Sequence, residues 1–288
     1  MNRMSISQKK QLTIKIFCAC LLIFISLLLP SFVLQHFPIF ENSNYNHFTK
    51  SLVIGILVIT GTVILRRKLD KGTPKEIGLN QIKTALKNFS TGIGLILVPV
   101  IIALTAGWIF GLAEFKFNIK GNIGIVFILG FISTLFTDAL SEELIFRGYV
   151  YSNLKAHFSV WKSSLIAIAI FLLAPVVLIT VQNNFNIQGA VPLTGGYIVT
   201  MILFGIFMQY LRVIFKSIWV GVGFHLVFVH MNQLMGITSN NLVQFSEDSN
   251  QPAMQGILIG LLLITFISLI IYPIIQRRKR NKIKFRLL

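Results

Sequence analysis

Residues 121–150 read GNIGIVFILGFISTLFTDALSEELIFRGYV, an apolar run that ends in three acidic residues. A helix of about 20 mainly apolar residues crosses the hydrocarbon core of a bilayer, and this stretch has that length. Runs of the same kind recur along the chain, which is 55% hydrophobic and only 12% charged. Soluble domains carry about 25% charged residues, so we predict that this chain is surrounded by lipid.

The recurring apolar runs predict an all-α integral membrane protein with about eight transmembrane helices. No run alternates in polarity as the strands of a membrane barrel do. The predicted spans are 13–36, 51–66, 90–113, 121–146, 162–182, 195–215, 218–236 and 254–275.

The basic residues predict the orientation of these spans. If both termini are cytoplasmic, 23 of the 26 Lys and Arg residues lie inside, and only Lys50, Lys116 and Lys120 lie outside. This asymmetry is typical of membrane proteins, and it explains the net charge of +17 without a nucleic-acid partner. The basic tail at 277–286 predicts contact with anionic lipid headgroups.

The chain is predicted to form a single membrane domain over 1–288. Residues 1–73 supply two spans and a basic loop, 74–235 the core, and 236–288 an outer loop, the last span and the polybasic tail. The first span lacks a small-residue cleavage site and is therefore expected to be retained. Composition and the lack of a targeting peptide favour a multi-pass protein of a bacterial plasma membrane.

Three of the nine acidic residues, Asp138, Glu142 and Glu143, fall at the end of the fourth span. An ionised group there must face water, a partner or a cavity. At a spacing of four residues, Asp138 shares a helix face with Glu142, and Glu143 shares one with Arg147. We predict that Arg147 neutralises Glu143, whereas Glu142, beside a second acid, suits general-base chemistry. The alternative is a helix end whose acids are solvated at the interface.

Two histidines, His225 and His230, lie in the seventh span. By helical geometry His225 shares a face with Asn232, and His230 points elsewhere. A hydrogen bond between helices is the alternative role for either histidine. Cys18 and Cys20 lie on different faces of the first span and predict neither a disulfide nor a metal site.

The sequence EELIFRG at 142–148 resembles the E-E-x-x-x-R motif of the CPBP family, also called Abi or type II CAAX proteases. PKEIGL at 74–79 resembles the loop before the core of that family. Its members are intramembrane proteases and bacterial relatives tied to bacteriocin self-immunity. The resemblance implies that Glu142 activates water, that Glu143 and Arg147 form a structural pair, and that His225 is the histidine of the third motif.

Two further motifs of the family are incomplete. Phe171 is followed four residues later by Pro175, where the family has His, and His225 is followed by Val229, where the family has Asn or Asp. Proline carries no side-chain proton donor or acceptor. Water activation would therefore rest on Glu142, with Asp138 as a secondary candidate and Asn232 as a substitute for the missing amide.

Three functions follow from these features. The resemblance implies an intramembrane endopeptidase that acts on a membrane-embedded or membrane-tethered protein or peptide, without a cofactor. Zinc is not expected, because Glu142, His225 and Asp138 are few ligands spread over two spans. The incomplete motifs favour the alternative of a non-catalytic, protease-derived scaffold or regulator, for example in bacteriocin immunity or surface-protein handling. A transporter is the weakest hypothesis, since no paired broken spans recur in the two halves.

Overall fold

The computed structural model describes residues 4–39, 43–79, 81–111, 113–114, 123–187, 193–235, 244–245 and 266–267. Most of these residues are helical, which confirms the all-α class. The helices are α1 Ile6–His36, α2 Ser43–Lys68, a 3₁₀ turn Pro74–Ile77, α3 Ile82–Ile109, α4 Ile123–Thr134, α5 Leu140–Glu142, α6 Tyr151–Lys155, α7 Val160–Asn184, α8 Gly195–Phe215 and α9 Trp219–Met235.

Five helical stretches are long and apolar enough to cross a bilayer. Segment 219–231 of α9 is apolar but shorter, and the last predicted span, 254–275, lies outside the described residues except for 266–267. The count of eight spans and the orientation of the termini therefore stay predictions. The five stretches are Ile6–His36, Asn44–Lys68, Pro74–Ile109, Val160–Asn184 and Gly195–Phe215.

The outer faces of these helices carry large apolar side chains. Phe17, Ile56, Leu165 and Leu203 are each more than half exposed in the isolated chain. Apolar surface spread over several long helices is costly in water and is stable against lipid tails. The exposed faces thus agree with the composition, and both indicate a multi-pass membrane protein.

The acid-bearing segment is a helix interrupted by wider turns. A π segment, Leu135–Ala139, separates α4 from α5, and a second one, Glu143–Val150, separates α5 from α6. The Ser141 hydroxyl donates to the carbonyl of Phe136 beside the first π segment. The apolar run predicts one regular helix, but each π turn inserts extra backbone and changes the direction of the side chains that follow it.

Two glycines bring α3 and α9 into close contact. A Cβ atom added to Gly223 would collide with the carbonyl oxygen of Phe89, and one added to Gly92 would collide with that of Val220. Small residues at such a crossing let two helix backbones approach closely inside a membrane. This contact fixes the position of α9, which carries His225.

The chain forms two compact units. Met1–Ile93 and Lys120–His230 form the first, and Gly94–Ile119 and Met231–Leu288 form the second. In the second unit, the described residues include part of α3 and a two-residue antiparallel ladder between β1 (Ala113–Glu114) and β2 (Gln244–Phe245). The domain boundaries given above stay predictions.

Asp70 joins three helices at one end of the first unit. Its carboxylate lies 2.9 Å from Lys15 Nζ in α1 and 2.8 Å from Arg66 Nη1 in α2. Asn153 Nδ2 of α6 donates to the same carboxylate at 3.1 Å. Burial alone would raise the pKa of Asp70, but these donors outweigh it and hold the pKa below its ordinary value of 3.8.

We expect Asp70→Asn to lower the free energy of unfolding at neutral pH by about 1–3 kcal/mol, because Lys15 and Arg66 lose their shared carboxylate. A carboxyl whose folded pKa is lowered stabilises the protein above its unfolded pKa, and this contribution is lost as the pH falls through the folded pKa. The difference between the wild type and the variant should therefore shrink below about pH 3.8. Thermal unfolding in detergent from neutral to acidic pH measures it, and a difference independent of pH would contradict the assignment.

Candidate active site

The three acids of the fourth span lie in different environments. Asp138 in the first π segment and Glu142 at the end of α5 are partly exposed, whereas Glu143 is only 1% exposed. The carboxylates of Asp138 and Glu142 interact electrostatically with each other. The first two acids are thus partly open at the surface of the isolated chain, while Glu143 is sealed inside the helix bundle.

Glu143 is the centre of a buried polar group. Arg147 Nη1 donates to Glu143 Oε1 at 3.1 Å, so the ion pair expected from the spacing is present. His225 Nδ1 lies 3.4 Å from the same oxygen. Gly221 makes room for this contact, since a Cβ there would lie 2.7 Å from Glu143 Oε2. The group therefore joins the acid-bearing segment to α9.

Phe171 of the second motif packs on the buried arginine. Its ring centroid lies 3.9 Å from the guanidinium carbon of Arg147, and the ring meets Phe146 edge-on at 5.5 Å. A guanidinium over an aromatic face is an attractive cation–π contact. Helix α7 continues through Pro175, which lies one turn after Phe171 and is partly exposed. The phenylalanine of the motif thus supports Arg147, and the next turn supplies no titratable group.

Arg212 is a buried contact that the sequence did not reveal. Its Nε donates to the backbone carbonyl of Arg147 at 2.9 Å, and its Nη2 lies 3.5 Å from Ser152 Oγ. From the sequence, Arg212 is one of the inner basic residues that predict the topology. Its position at the end of an apolar span gave no sign that it would turn inward and tie α8 to the second π segment.

Two more polar residues lie near the accessible acids. Lys50 of α2 interacts electrostatically with Asp138, and Tyr197 near the start of α8 interacts with both Asp138 and Glu142. The sequence singled out neither as a site residue. A Tyr near a span end is ordinarily explained as an interfacial side chain, so the sequence pattern gave no sign of this proximity.

The other residues that the sequence singled out, His225, His230 and Asn232, lie in different surroundings. His225 also interacts electrostatically with Glu142, and its ring contacts Phe204 at 4.7 Å between centroids. His230 lies apart, with its ring edge-on to Phe127 at 4.7 Å. The backbone of Asn232 belongs to α9, but its side chain is outside the described part of the chain.

The described residues include no group of three or more His, Cys, Asp or Glu side chains arranged to hold a metal ion. The absence of zinc stays a prediction. What these side chains can do chemically is move a proton. A partly exposed carboxylate beside a second acid can accept a proton, whereas the neighbouring buried ion pair holds its charges fixed.

The comparisons with known proteins agree with the motif. Residues 124–231 match the family model described as type II CAAX prenyl endopeptidase Rce1-like. A search of curated proteins and a search of solved structures each found no match. The matched segment contains Asp138, Glu142, Glu143, Arg147 and His225, so the resemblance seen at 142–148 is confirmed: residues 124–231 match the Rce1-like family of type II CAAX prenyl endopeptidases.

Proposed function

We propose that this protein is an intramembrane endopeptidase in which Glu142 activates a water molecule. The observation that carries the proposal is the contrast between neighbouring acids. Glu142 is accessible beside Asp138, whereas Glu143 is buried and paired with Arg147. A general base must reach water, and a structural acid must be neutralised, so the two glutamates are suited to different roles.

In the proposed reaction the Glu142 carboxylate takes a proton from water, and the water oxygen attacks the carbonyl carbon of the scissile peptide bond. A tetrahedral intermediate with a negatively charged oxygen results. The proton held by Glu142 then passes to the amide nitrogen as the carbon–nitrogen bond breaks. The products are a new carboxylate and a new amine, and Glu142 returns to its starting form.

We propose that two residues assist this reaction. An O–H or N–H donor aimed at the developing oxyanion commonly raises the rate by about 10²–10³, which corresponds to about 3–4 kcal/mol of transition-state stabilisation. Tyr197 interacts with Glu142 and Asp138, so we propose its hydroxyl as one such donor. His225, whose Nδ1 lies 3.4 Å from Glu143 Oε1, is proposed as the second site residue, because a ring N–H donor there would stabilise negative charge on the intermediate.

We further propose that the substrate is a membrane-embedded or membrane-tethered protein or peptide, since the acids lie among apolar helices. The matched family is named for prenyl endopeptidases, which act on lipid-bearing chains. A multi-pass location in a bacterial plasma membrane, and contact of the basic tail with anionic lipids, belong to the same proposal.

One observation favours a second candidate, a protease-derived scaffold that binds a membrane partner without cleaving it. Pro175 stands one turn beyond Phe171, where a histidine would complete the motif, while the contacts of Phe171 and Arg147 are intact. A scaffold would need only these structural contacts. In that case Glu142 would have no proton to move, and its replacement would be tolerated.

The direct experiment is cleavage by the purified protein in liposomes. The substrate is a fluorescent, S-farnesylated peptide, and the reaction runs in water enriched in ¹⁸O. We expect a shortened peptide whose new carboxylate contains ¹⁸O, because hydrolysis places the water oxygen there. Protein-free liposomes and heat-unfolded protein are the controls. A peptide that binds but stays intact would favour the scaffold.

A further inference from the structure

Lys50 is a basic residue inside a membrane span. It lies in the apolar stretch Asn44–Lys68 of α2 and is partly buried. Ile54, four residues further on and therefore on the same face of α2, is fully buried. This face is thus turned toward the other helices of the first unit and not toward lipid. A charged group at such a position needs a partner or water.

The first π segment packs against α2 beside Lys50. Thr137 Oγ1 donates to Ser51 Oγ at 2.8 Å, and Ser51 is completely buried. One turn further along α2, a Cβ atom added to Gly55 would collide with an aromatic ring of the same π segment. Ser51 follows Lys50 in the chain, and Thr137 precedes Asp138. The packing therefore brings Lys50 to Asp138, and the two charges interact electrostatically.

Asp138 faces titratable groups on four elements. Besides Lys50 of α2, it interacts electrostatically with Glu142 at the end of α5, with His225 of α9 and with Tyr197 of α8. A lysine is ordinarily cationic at neutral pH, whereas a tyrosine is neutral there and a histidine titrates close to it. Lys50 is thus the natural source of a permanent positive charge among these groups.

A second acid beside a general base hinders its ionisation. Two carboxylates close together in a site of low dielectric constant repel each other, and a proton bound by one of them relieves the repulsion. A general base has to be ionised before it can accept a proton from water. A cation beside one of the two acids removes this conflict, because only the other acid then carries an uncompensated charge.

We propose that Lys50 is a positioning residue that neutralises Asp138, so that Glu142 can hold the negative charge of a base. The inference rests on the proposed function, in which Glu142 takes a proton from water. Lys50 acts through Asp138 and does not itself touch the reacting atoms, and Asp138 serves as the counter-ion of Lys50 and not as a second base. The alternative for a lysine of a span is an ammonium that extends to the membrane surface, where the charge of Asp138 plays no part.

Infrared spectroscopy of the full chain in liposomes near neutral pH tests the pairing, since the carbonyl stretch of a protonated carboxyl is separate from the bands of a carboxylate. Lys50→Met should gain one protonated-carboxyl band over the wild type, because Asp138 and Glu142 would then share a proton. The same substitution made in Asp138→Asn should gain none. Lys50→Arg keeps the cation, and Lys155→Met removes an exposed lysine elsewhere, so neither should gain the band.

Two spectroscopic results would overturn the inference: no gain in Lys50→Met, or an equal gain with and without the carboxylate of Asp138. Both are expected if the ammonium extends to the membrane surface. If Lys50→Met does not fold, adding Asp138→Asn should restore its yield, because a buried charge without its partner is strongly destabilising. A double variant that does not fold, when Asp138→Asn alone does, would overturn the inference as well.

Cleavage separates this inference from the proposed function. Per folded molecule, Lys50→Met should lower the rate about tenfold or more, since an opposite charge changes the ionised fraction of a nearby carboxyl by that order. In Asp138→Asn the same change should have little effect. A wild type that cleaves nothing would refute the protease, and the infrared spectra would still decide whether Lys50 and Asp138 pair. An unchanged rate in a Lys50→Met protein that has gained the band would refute the positioning role alone.

Discussion

Replacing Glu142 by Gln is expected to lower the rate of peptide cleavage by about 10²–10⁴, the usual loss when a general base is removed. The substitution keeps the size and polarity of the side chain and removes only its ability to accept a proton. Since Pro175 supplies no second base, little residual activity should remain. Cleavage per folded molecule in liposomes, with protein levels matched by quantitative blotting, measures the effect.

Glu143→Gln is the informative comparison, because it changes the adjacent residue in the same way. Glu143 is buried against Arg147 and His225, so this variant should mainly lower stability and yield, with a smaller loss of rate per folded molecule. Glu76→Gln removes an exposed carboxylate that pairs with Arg66, and controls for the general effect of losing a paired carboxylate. Unchanged cleavage by Glu142→Gln would exclude Glu142 as the base. If the wild type does not cleave the peptide and Glu142→Gln folds and binds as the wild type does, the result would support the scaffold.

Arg147→Met is expected to lower the free energy of unfolding by about 3–5 kcal/mol, because it leaves the buried carboxylate of Glu143 without its cation. His225 would still lie near that carboxylate, at 3.4 Å, but a neutral imidazole does not replace the lost cation. The Phe171 ring would lose its cation–π partner as well. Denaturant unfolding in mixed micelles, followed by Trp fluorescence, measures the change.

Two further variants identify the cause of the loss. Arg67→Met makes the same substitution at an exposed position and should change stability by less than about 0.5 kcal/mol. Adding Glu143→Gln to Arg147→Met removes the unpaired charge and should recover part of the lost stability. If Arg147→Met and Arg67→Met lower the free energy of unfolding equally, the buried pair of Glu143 and Arg147 does not stabilise the protein.

Local features of the sequence predicted the helices and one contact of the site. Seven of the eight apolar runs coincide with helical segments, because a bilayer forces each long apolar run to satisfy its own backbone hydrogen bonds. The contact between Glu143 and Arg147 also followed from a spacing of four residues on one helix. The partial exposure of Glu142 fits the difference in roles argued for the two glutamates.

The tertiary structure determined the partners of these residues. His225 was grouped with Glu142 by motif, yet its ring nitrogen lies against Glu143, and Arg212 reaches a carbonyl 65 residues away. Tyr197 and Lys50 come near the accessible acids from helices that have no sequence link to them. Helical periodicity fixes which residues share a face of one helix, but not which face of another helix meets it. That second choice depends on the π segments, which redirect the acids, and on close approaches such as that at Gly223, and both arise only when the whole bundle packs.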